Sequence, residues 1–231
     1  MIVSHRHRFI FLKTNKTAGT SVEMALSSAC GPKDIISRIS KKDENQRQRM
    51  GYRGKQNHWV SPLRYKWDTL KRLLSPNASF KGKFYNHMSA REVRNLVSPE
   101  VWSSYYKFCF ERNPWDRVVS LYYFACRTEP RMPFSDFVHS DEILTLKERG
   151  RDLYSIDGEV VVDRICRFES LQEDLDGVCR ELDMPHPLPL PYAKSGFRKD
   201  LNGYRALYKD TDRQRVHDLF RKEIEEMGYR F

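Results

Sequence analysis

Residues 13–21 combine charged, hydroxyl-bearing and small side chains in a way that suits the binding of a phosphate. The segment, KTNKTAGTS, joins an apolar run at 9–12 to a helical pattern at 21–29. Free backbone N–H groups and the helix dipole at such a helix N-terminus attract anions. Lys16 adds a positive charge, and Gly19 lets the backbone approach a ligand closely. The hydroxyl donors of the segment are Thr17, Thr20 and Ser21.

This loop differs from the phosphate loop of ATPases and kinases, in which the lysine of GxxxxGK[ST] follows the second glycine. Here Lys16 precedes Gly19, and the loop has one glycine. The difference weakens the case for a nucleotide-dependent kinase and leaves it as an alternative. Another interpretation is an ordinary strand–helix turn in which threonine and serine cap the helix.

A second candidate anion site follows a buried strand predicted at 106–110. Arg112 lies just beyond the carboxyl end of that strand, where ligands bind in open α/β sheets. Ser120 comes eight residues later, in a helix predicted at 116–126. A guanidinium and a hydroxyl that converge on one phosphate form a sound site. Arg117 either joins them or pairs with a neighbouring carboxylate.

A general base near neutral pH is most simply a histidine, and the chain has seven. Five of them lie in terminal, proline-rich or helical surface contexts: His5, His7, His139, His186 and His217. His58 lies in a basic segment. His87 precedes the helix that leads into the second anion site, which makes it the preferred candidate. The alternative is that His87 caps the helix predicted from Ser89 or binds a neighbour.

Both anion-binding segments resemble motifs of sulfotransferases that use 3′-phosphoadenosine-5′-phosphosulfate (PAPS). NKTAGTS at 15–21 resembles the 5′-phosphosulfate-binding loop of their carbohydrate branch, which often reads PKTGGTS. Asn15 stands for the proline and Ala18 for the first glycine. RNPWDRVVSLY at 112–122 resembles the 3′-phosphate-binding segment RNPxxRxxSxY. The resemblance covers most of the chain except residues 33–84.

The resemblance implies which residues bind PAPS and which act in catalysis. The loop contacts would be Lys16, Thr17, Ala18, Gly19, Thr20 and Ser21. Arg112 and Ser120 would hold the 3′-phosphate. AKSGFRK at 193–199 lies where the family has a loop over the nucleotide, which adds Lys194, Ser195 and Arg198. The family often has a glycine–histidine pair near Asn86–His87, which supports His87 as base, and Glu169 in RFESLQEDL is interpreted as structural.

The implied reaction moves a sulfonate group from PAPS to a hydroxyl, and the resemblance to the carbohydrate branch favours a saccharide or glycolipid acceptor. Lys16 would neutralise the charge that builds on the bridging phosphate oxygen, and His87 would take the hydroxyl proton. Positioning and electrostatics would supply most of the rate. The reaction requires no metal, and no carboxylate cluster in the sequence suggests one.

The elements that must position these residues indicate one α/β domain over residues 1–231. The resemblance implies a P-loop-like three-layer sandwich with a central parallel sheet, the sulfotransferase fold. The predicted strands are 9–12, 106–110 and 160–168. The predicted helices are 21–29, 116–126, 170–182 and 212–227, with short ones from Ser89 and Pro99 and another at 67–74.

The net charge of +10 is concentrated in one stretch. Residues 41–83 hold twelve lysines or arginines and three acidic residues. Such a field recruits anions. We interpret residues 33–84 as a basic, irregular insert, either a lid on the side of an acidic acceptor or a solvated segment without a role. A nucleic-acid-binding protein that stacks bases on Trp59, Tyr65 and Trp67 is a further alternative, although it leaves both phosphate motifs unexplained.

The composition and the sequence motifs also indicate the cellular compartment of the protein. The five cysteines are widely spaced without a zinc pattern, and no apolar run approaches the roughly 20 residues of a membrane span. No signal peptide is recognised at the start. A glycan on the sequon at Asn15 would block the phosphate loop. We therefore expect a cytoplasmic enzyme with reduced cysteines and neither a transmembrane segment nor a nucleic-acid partner, its oligomeric state undetermined.

Overall fold

The computed structural model describes residues 1–60, 82–191 and 203–231, and its centre is a five-stranded sheet. In spatial order the strands are β3 (Ile35–Ile36), β1 (Ile2–Ser4), β2 (Phe9–Phe11), β4 (Tyr106–Glu111) and β7 (Arg164–Arg167). A separate hairpin pairs β5 (Ser155–Ile156) with β6 (Glu159–Val160).

The described helices surround this sheet. In chain order they are α1 (Gly19–Ala29), α2 (Lys41–Arg49), α3 (Ala90–Leu96), α4 (Pro99–Ser104), α5 (Pro114–Ala125), α6 (Phe134–His139), α7 (Leu144–Glu148), α8 (Arg151–Tyr154), α9 (Leu171–Glu181), α10 (Asp210–Leu219) and α11 (Arg221–Met227). The helix predicted at 67–74 lies outside the described residues.

The three strands expected from the sequence are neighbours and run parallel. Phe9 of β2 lies opposite Tyr106 of β4, and Phe108 of β4 lies opposite Arg164 of β7. Their carboxyl ends therefore meet at one edge of the sheet. The loops that follow β2, β4 and β7 all begin there, and these loops carry the predicted site residues.

The sheet is mixed, which corrects the expectation of a wholly parallel one. β1 lies between β2 and β3 and pairs antiparallel with both. Its pairing with β2 follows from the connection, because residues 5–8 form a turn too short for a parallel crossover. Arg8 adopts a φ of 54° in this turn. Three residues give too short a pattern for sequence analysis to detect β1.

Apolar side chains alternate along the strands and cover both faces. Phe9, Phe11, Phe108 and Phe110 pack with residues of α1 and α9 on one face. On the other face, α3, α8 and the β5–β6 hairpin pack against Ile10 of β2, Leu12 just after β2 and Cys109 of β4. Because both faces of the sheet are buried, the sequences of β2 and β4 are continuous apolar runs.

A third apolar cluster joins α5 to the carboxyl-terminal helices. It contains Trp115 and Val118 from α5, Phe137 from α6, and Val216 and Phe220 from the end of the chain. One helix was predicted at 212–227, and the structure has two. Phe220 leaves helical geometry at φ −116°, and its ring is buried in this cluster. The packing of Phe220 in this cluster therefore divides the predicted helix into α10 and α11.

Other elements begin and end close to their predicted positions. Ser89 caps α3 in a complete capping box with Glu92, and Pro99 starts α4 after the cap Ser98. The strand predicted at 160–168 is shorter, because Glu159–Val160 belongs to the β5–β6 hairpin. Within residues 33–60, β3 adds an edge strand to the sheet and Ser40 caps α2, so this part of the basic segment is regular.

In the described part of the chain, no helix combines the length and apolarity needed to cross a membrane.

Candidate functional site

The loop from β2 to α1 presents backbone donors at the helix N-terminus. Lys16 and Ala18 both adopt left-handed backbone geometry, with φ of 64° and 56°. Ala18 is the N-cap of α1, and no side chain caps this end of the helix. The left-handed residues and the N-terminus of α1 together have the features of an anion-binding site.

A buried ion pair supports the loop from beneath. Lys13 Nζ lies 2.9 Å from Glu23 Oε2, and both side chains are buried. Burial alone would raise the pKa of Glu23, but Lys13 and the other cations around it lower that pKa to about 2. A Cβ on Gly19 would lie 2.7 Å from Lys13 Cγ. Gly19 is thus required by the stem of Lys13, which packs against the loop.

Thr17 was predicted to contribute a hydroxyl to the ligand, but its side chain is directed into the protein. Thr17 is fully buried, and its Oγ1 lies 2.8 Å from Oγ1 of Thr14. Thr14 Oγ1 in turn donates a hydrogen bond to the carbonyl oxygen of Phe110. These two threonines tie the loop to the end of β4 and thereby keep the loops after β2 and β4 together.

Arg112 links the two anion-binding segments. Its Nε and Nη2 donate to Asp116 Oδ2 at 2.9 and 2.6 Å, and its Nη1 donates to the Lys16 carbonyl at 3.3 Å. The guanidinium carbon lies 4.0 Å from the centre of the Phe168 ring. Arg112 is therefore held in place against the loop, and a phosphate that binds its guanidinium would compete with Asp116.

Arg117 has the structural role that was one of its two interpretations. It is buried, and its Nη1 donates to Glu111 Oε2 at 2.8 Å. Its Nε donates to the Asn15 carbonyl at 2.8 Å, and its Nη2 donates to the carbonyls of Leu146 and Arg149. One side chain thus joins the phosphate loop, the end of β4 and the end of α7.

His87 lies beside the loop with a defined tautomer. Its Nδ1 is 2.8 Å from the Lys13 carbonyl oxygen. Because a carbonyl only accepts, Nδ1 carries the proton and Nε2 keeps its lone pair. Burial and the positive charge of Lys13 lower the pKa of His87 to about 3. A φ of 56° shows that its backbone is also held in a strained conformation.

One cavity of about 640 Å³ brings these groups together. Its polar wall contains the loop residues and the three groups predicted elsewhere in the chain. These polar-wall residues are Lys16, Ala18, Gly19, Thr20, Ser21, His87, Arg112 and Ser120. Every described residue of the predicted site except Thr17 therefore lines the same cavity. Lys194, Ser195 and Arg198 lie outside the described residues.

The cavity also has an apolar wall, which the sequence analysis did not predict. It consists of Phe124, Phe168, Leu171, Leu190 and Pro191. Phe124 lies four residues after Ser120 on the same helical face, a spacing that could have identified it. The ammonium group of Lys16 lies 4.2 Å from the centre of its ring. Phe168 follows β7 at the ligand-binding edge of the sheet, which is a second usable signal.

Asn113 and Glu169 support the site without lining it. The backbone N–H of Asn113 donates to Glu169 Oε1 at 2.7 Å, and the Asn113 side chain donates to the Arg230 carbonyl at 2.9 Å. The structural interpretation of Glu169 agrees with this contact. Among the described residues, no group of three or more His, Cys, Asp or Glu side chains is arranged to hold a metal ion.

Comparison with known proteins points to one family. A model described as the sulfotransferase family matches residues 1–230. An uncharacterized protein of Archaeoglobus fulgidus is 35% identical over 106 residues, which span 44% of this chain and 87% of that protein. No solved structure matches the chain.

Proposed function

Since the chain belongs to the sulfotransferase family, we propose that it transfers the sulfonate group of PAPS to a hydroxyl of a saccharide or glycolipid. The observation that carries the proposal is the cavity lined jointly by the β2–α1 loop, His87, Arg112 and Ser120. Family membership makes the chain a sulfonate-transferring enzyme. The choice of donor follows from the two phosphate-binding segments, and the choice of acceptor follows from the resemblance to the carbohydrate branch.

The donors around the cavity fit a nucleotide with phosphate groups at both ends. At one end, the left-handed residues of the loop and the N-terminus of α1 suit a 5′-phosphosulfate. At the other, Arg112 and Ser120 suit a 3′-phosphate. The apolar wall with Phe124 and Phe168 suits the adenine ring between them. The same arrangement supports the P-loop-like sulfotransferase fold as the overall architecture.

PAPS, when bound, supplies an activated sulfonate whose S–O bond to phosphate breaks as the acceptor oxygen attacks sulfur. His87 Nε2 accepts the proton of the acceptor hydroxyl, because Nδ1–H is held by the Lys13 carbonyl. Lys16 neutralises the charge left on the phosphate oxygen, and Ser21 with the α1 N–H groups steadies it. A low pKa keeps His87 neutral before catalysis, and the anionic ligand raises that pKa.

The cysteines support the cytoplasm as the compartment within this proposal. All five lie in the described part of the chain and are free thiols, and four of them are buried. A reducing compartment keeps thiols in this state. Asn15, the acceptor position of a glycosylation sequon, lines the cavity, where a glycan would obstruct the nucleotide.

Calorimetric titration with 3′-phosphoadenosine-5′-phosphate, the desulfonated product, tests the proposal. We expect micromolar binding to the wild type, much weaker binding of ADP, and loss of binding in Arg112→Ala. Arg91→Ala is the matched control, because Arg91 also pairs with an aspartate but lies on the surface outside the cavity. Absence of binding, or equal preference for ATP with magnesium, would overturn the proposal and favour a kinase or a basic nucleic-acid-binding protein.

A further inference from the structure

The surface formed by residues 33–60 is basic because the acidic side chains of this segment are turned inward. Asp34 is buried and accepts hydrogen bonds from the backbone N–H groups of His5, Arg6 and Gly31. Asp43 is buried, and Glu44 pairs with Arg47. Seven basic side chains of the segment are exposed: Lys33, Arg38, Lys41, Lys42, Arg49, Arg53 and Lys55. No acidic side chain of residues 33–60 is exposed beside them.

Trp59 stands out on this surface. Its side chain is 67% exposed, and it is the one large aromatic ring that is exposed among the described residues. The backbone holds it firmly, since Trp59 pairs with Lys83 in an antiparallel bridge and the Phe84 N–H donates to the His58 carbonyl at 2.7 Å. An exposed ring on a fixed backbone is available for stacking at little cost in entropy.

Positive charges surround this ring. Lys83 Nζ lies 5.1 Å from the centre of the Trp59 ring, and the His58 ring lies 5.8 Å from it. Burial, Lys55 and Lys83 lower the pKa of His58, with a smaller contribution from Arg38. Within the described ranges Arg38, Lys55 and Lys83 form no ion pair. We refer to Arg38, Lys55, His58, Trp59 and Lys83 as the basic platform.

The basic platform is connected directly to the candidate base. Residues 84–87 lead from Lys83 to His87, and Phe84 and Met88 are anchored in the same apolar cluster. Four residues span at most about 14 Å even when fully extended. The backbone positions of Lys83 and His87, a cavity residue, are therefore no farther apart than the length of a few sugar units.

We propose that the basic platform binds the acceptor, an oligosaccharide that carries carboxylate or sulfate groups, with Trp59 stacked on one sugar ring. The proposal rests on the proposed function and specifies the acceptor for the same site. Lysines and arginines without acidic partners complement an anionic chain. RNA would instead stack successive bases on several rings, and its binding is one of the outcomes of the test.

The test is calorimetric titration of the protein, saturated with 3′-phosphoadenosine-5′-phosphate, with a hexasaccharide of alternating glucuronate and N-acetylglucosamine. We expect Trp59→Ala to weaken this binding by about tenfold, because the substitution removes the aromatic stacking contact. Met132→Ala is its control, because Met132 is also exposed and apolar but lies outside the platform. Lys55→Glu should weaken binding more at low salt than at high salt, whereas Lys222→Glu, also an exposed lysine, should not.

The outcomes separate this inference from the proposed function. Equal binding of the hexasaccharide by Trp59→Ala and the wild type would overturn the platform, and so would tighter binding of a hexauridylate RNA or of neutral N-acetylglucosamine hexamer. The nucleotide serves as the internal reference, since all four variants should bind it as the wild type does. Failure of the wild type to bind the nucleotide would instead count against the proposed function.

Discussion

At His87, three local features favour one chemical role. The Lys13 carbonyl fixes the proton on Nδ1, burial keeps the ring neutral, and the residue lines the cavity. A neutral imidazole with a free Nε2 lone pair is a proton acceptor. Substitution of this residue therefore tests chemistry and binding separately.

His87→Asn is expected to lower kcat by about 10²- to 10⁴-fold, the usual contribution of a general base. Asparagine tolerates positive φ, and its amide can replace the donor to the Lys13 carbonyl. The affinity for 3′-phosphoadenosine-5′-phosphate should stay unchanged in a calorimetric titration. A loss of kcat smaller than tenfold would show that another group removes the proton.

His87 should also make stability depend on pH. Its pKa is near 6.5 in an unfolded chain and about 3 in the folded protein. Between pH 3 and pH 6.5, the folded protein therefore binds fewer protons than the unfolded chain. The contribution of His87 to the free energy of unfolding has its full value above pH 6.5 and decreases as the pH drops toward 3. Urea unfolding at several pH values should show a shallower fall in His87→Asn. Parallel curves for the two proteins would contradict the assignment.

Ala18 and Gly19 are neighbours whose substitutions should act in opposite directions. Ala18→Gly should stabilise the protein by about 0.5–1 kcal/mol, because Ala18 has a φ of 56° that costs a non-glycine residue about 1–2 kcal/mol, partly offset by the greater freedom of glycine when unfolded. Gly19→Ala should destabilise it by about 1–3 kcal/mol, because the new methyl would collide with Lys13. Chemical denaturation of both variants measures the difference. The same sign for both changes would contradict this account of the loop.

At the scale of elements, the site depends on side chains that bind one loop to another. Arg117 joins the β2–α1 loop, the end of β4 and the end of α7 through its Nε, Nη1 and Nη2 atoms. The chain accommodates this arginine at Gly150, where a Cβ would lie 2.8 Å from Nη1. The three segments therefore keep their relative positions before any ligand binds.

Arg117→Met should lower the free energy of unfolding by about 3–5 kcal/mol, because it leaves Glu111 buried without its charged partner. Arg117→Lys should be less destabilising but should still weaken nucleotide binding, because lysine lacks the planar donors that reach Asn15 and Arg149. Urea unfolding and calorimetry measure the two effects. Arg91→Met, at an exposed pair, is the control and should stay within about 0.5 kcal/mol of the wild type. Normal nucleotide affinity in Arg117→Lys would show that the arginine does not position the loop.

At the scale of the whole molecule, the cavity is assembled from segments far apart in sequence. Its lining residues range from Lys13 to Pro191 and include residues from the loops after β2, β4 and β7. A ligand that contacts all three loops should stabilise the fold as a unit, since binding to the folded state alone adds to its free energy of unfolding.

The product nucleotide at about 100 times its Kd should therefore raise the free energy of unfolding by about 2.7 kcal/mol. Thermal unfolding with and without ligand measures the shift, and hydrogen exchange should slow at 13–21, 112–120 and 168–172 together. Arg112→Ala should abolish the shift, whereas Arg91→Ala should retain it. Protection confined to one of the three segments would contradict a shared site.

Much of the fold could be predicted from the sequence, because the patterns that indicate these strands and helices involve residues close together in the chain. The apolar runs at 9–12 and 106–110, the capping box at Ser89 and the proline at 99 all predicted elements that the structure contains. The central sheet was predicted only in part. The strand β1 was not predicted, because three residues carry no periodicity, and its pairing with β3 is a long-range contact.

The sequence by itself determined which residues are suited to bind an anion. A lysine and a glycine before a helix, and an arginine after a strand, bind anions wherever parallel strand ends place them, so Lys16, Gly19 and Arg112 were identifiable without coordinates. Tertiary structure alone decided the direction of Thr17, the tautomer of His87 and the apolar wall at Phe168. Those features depend on which distant atoms surround a side chain, and only the folded chain brings these atoms together.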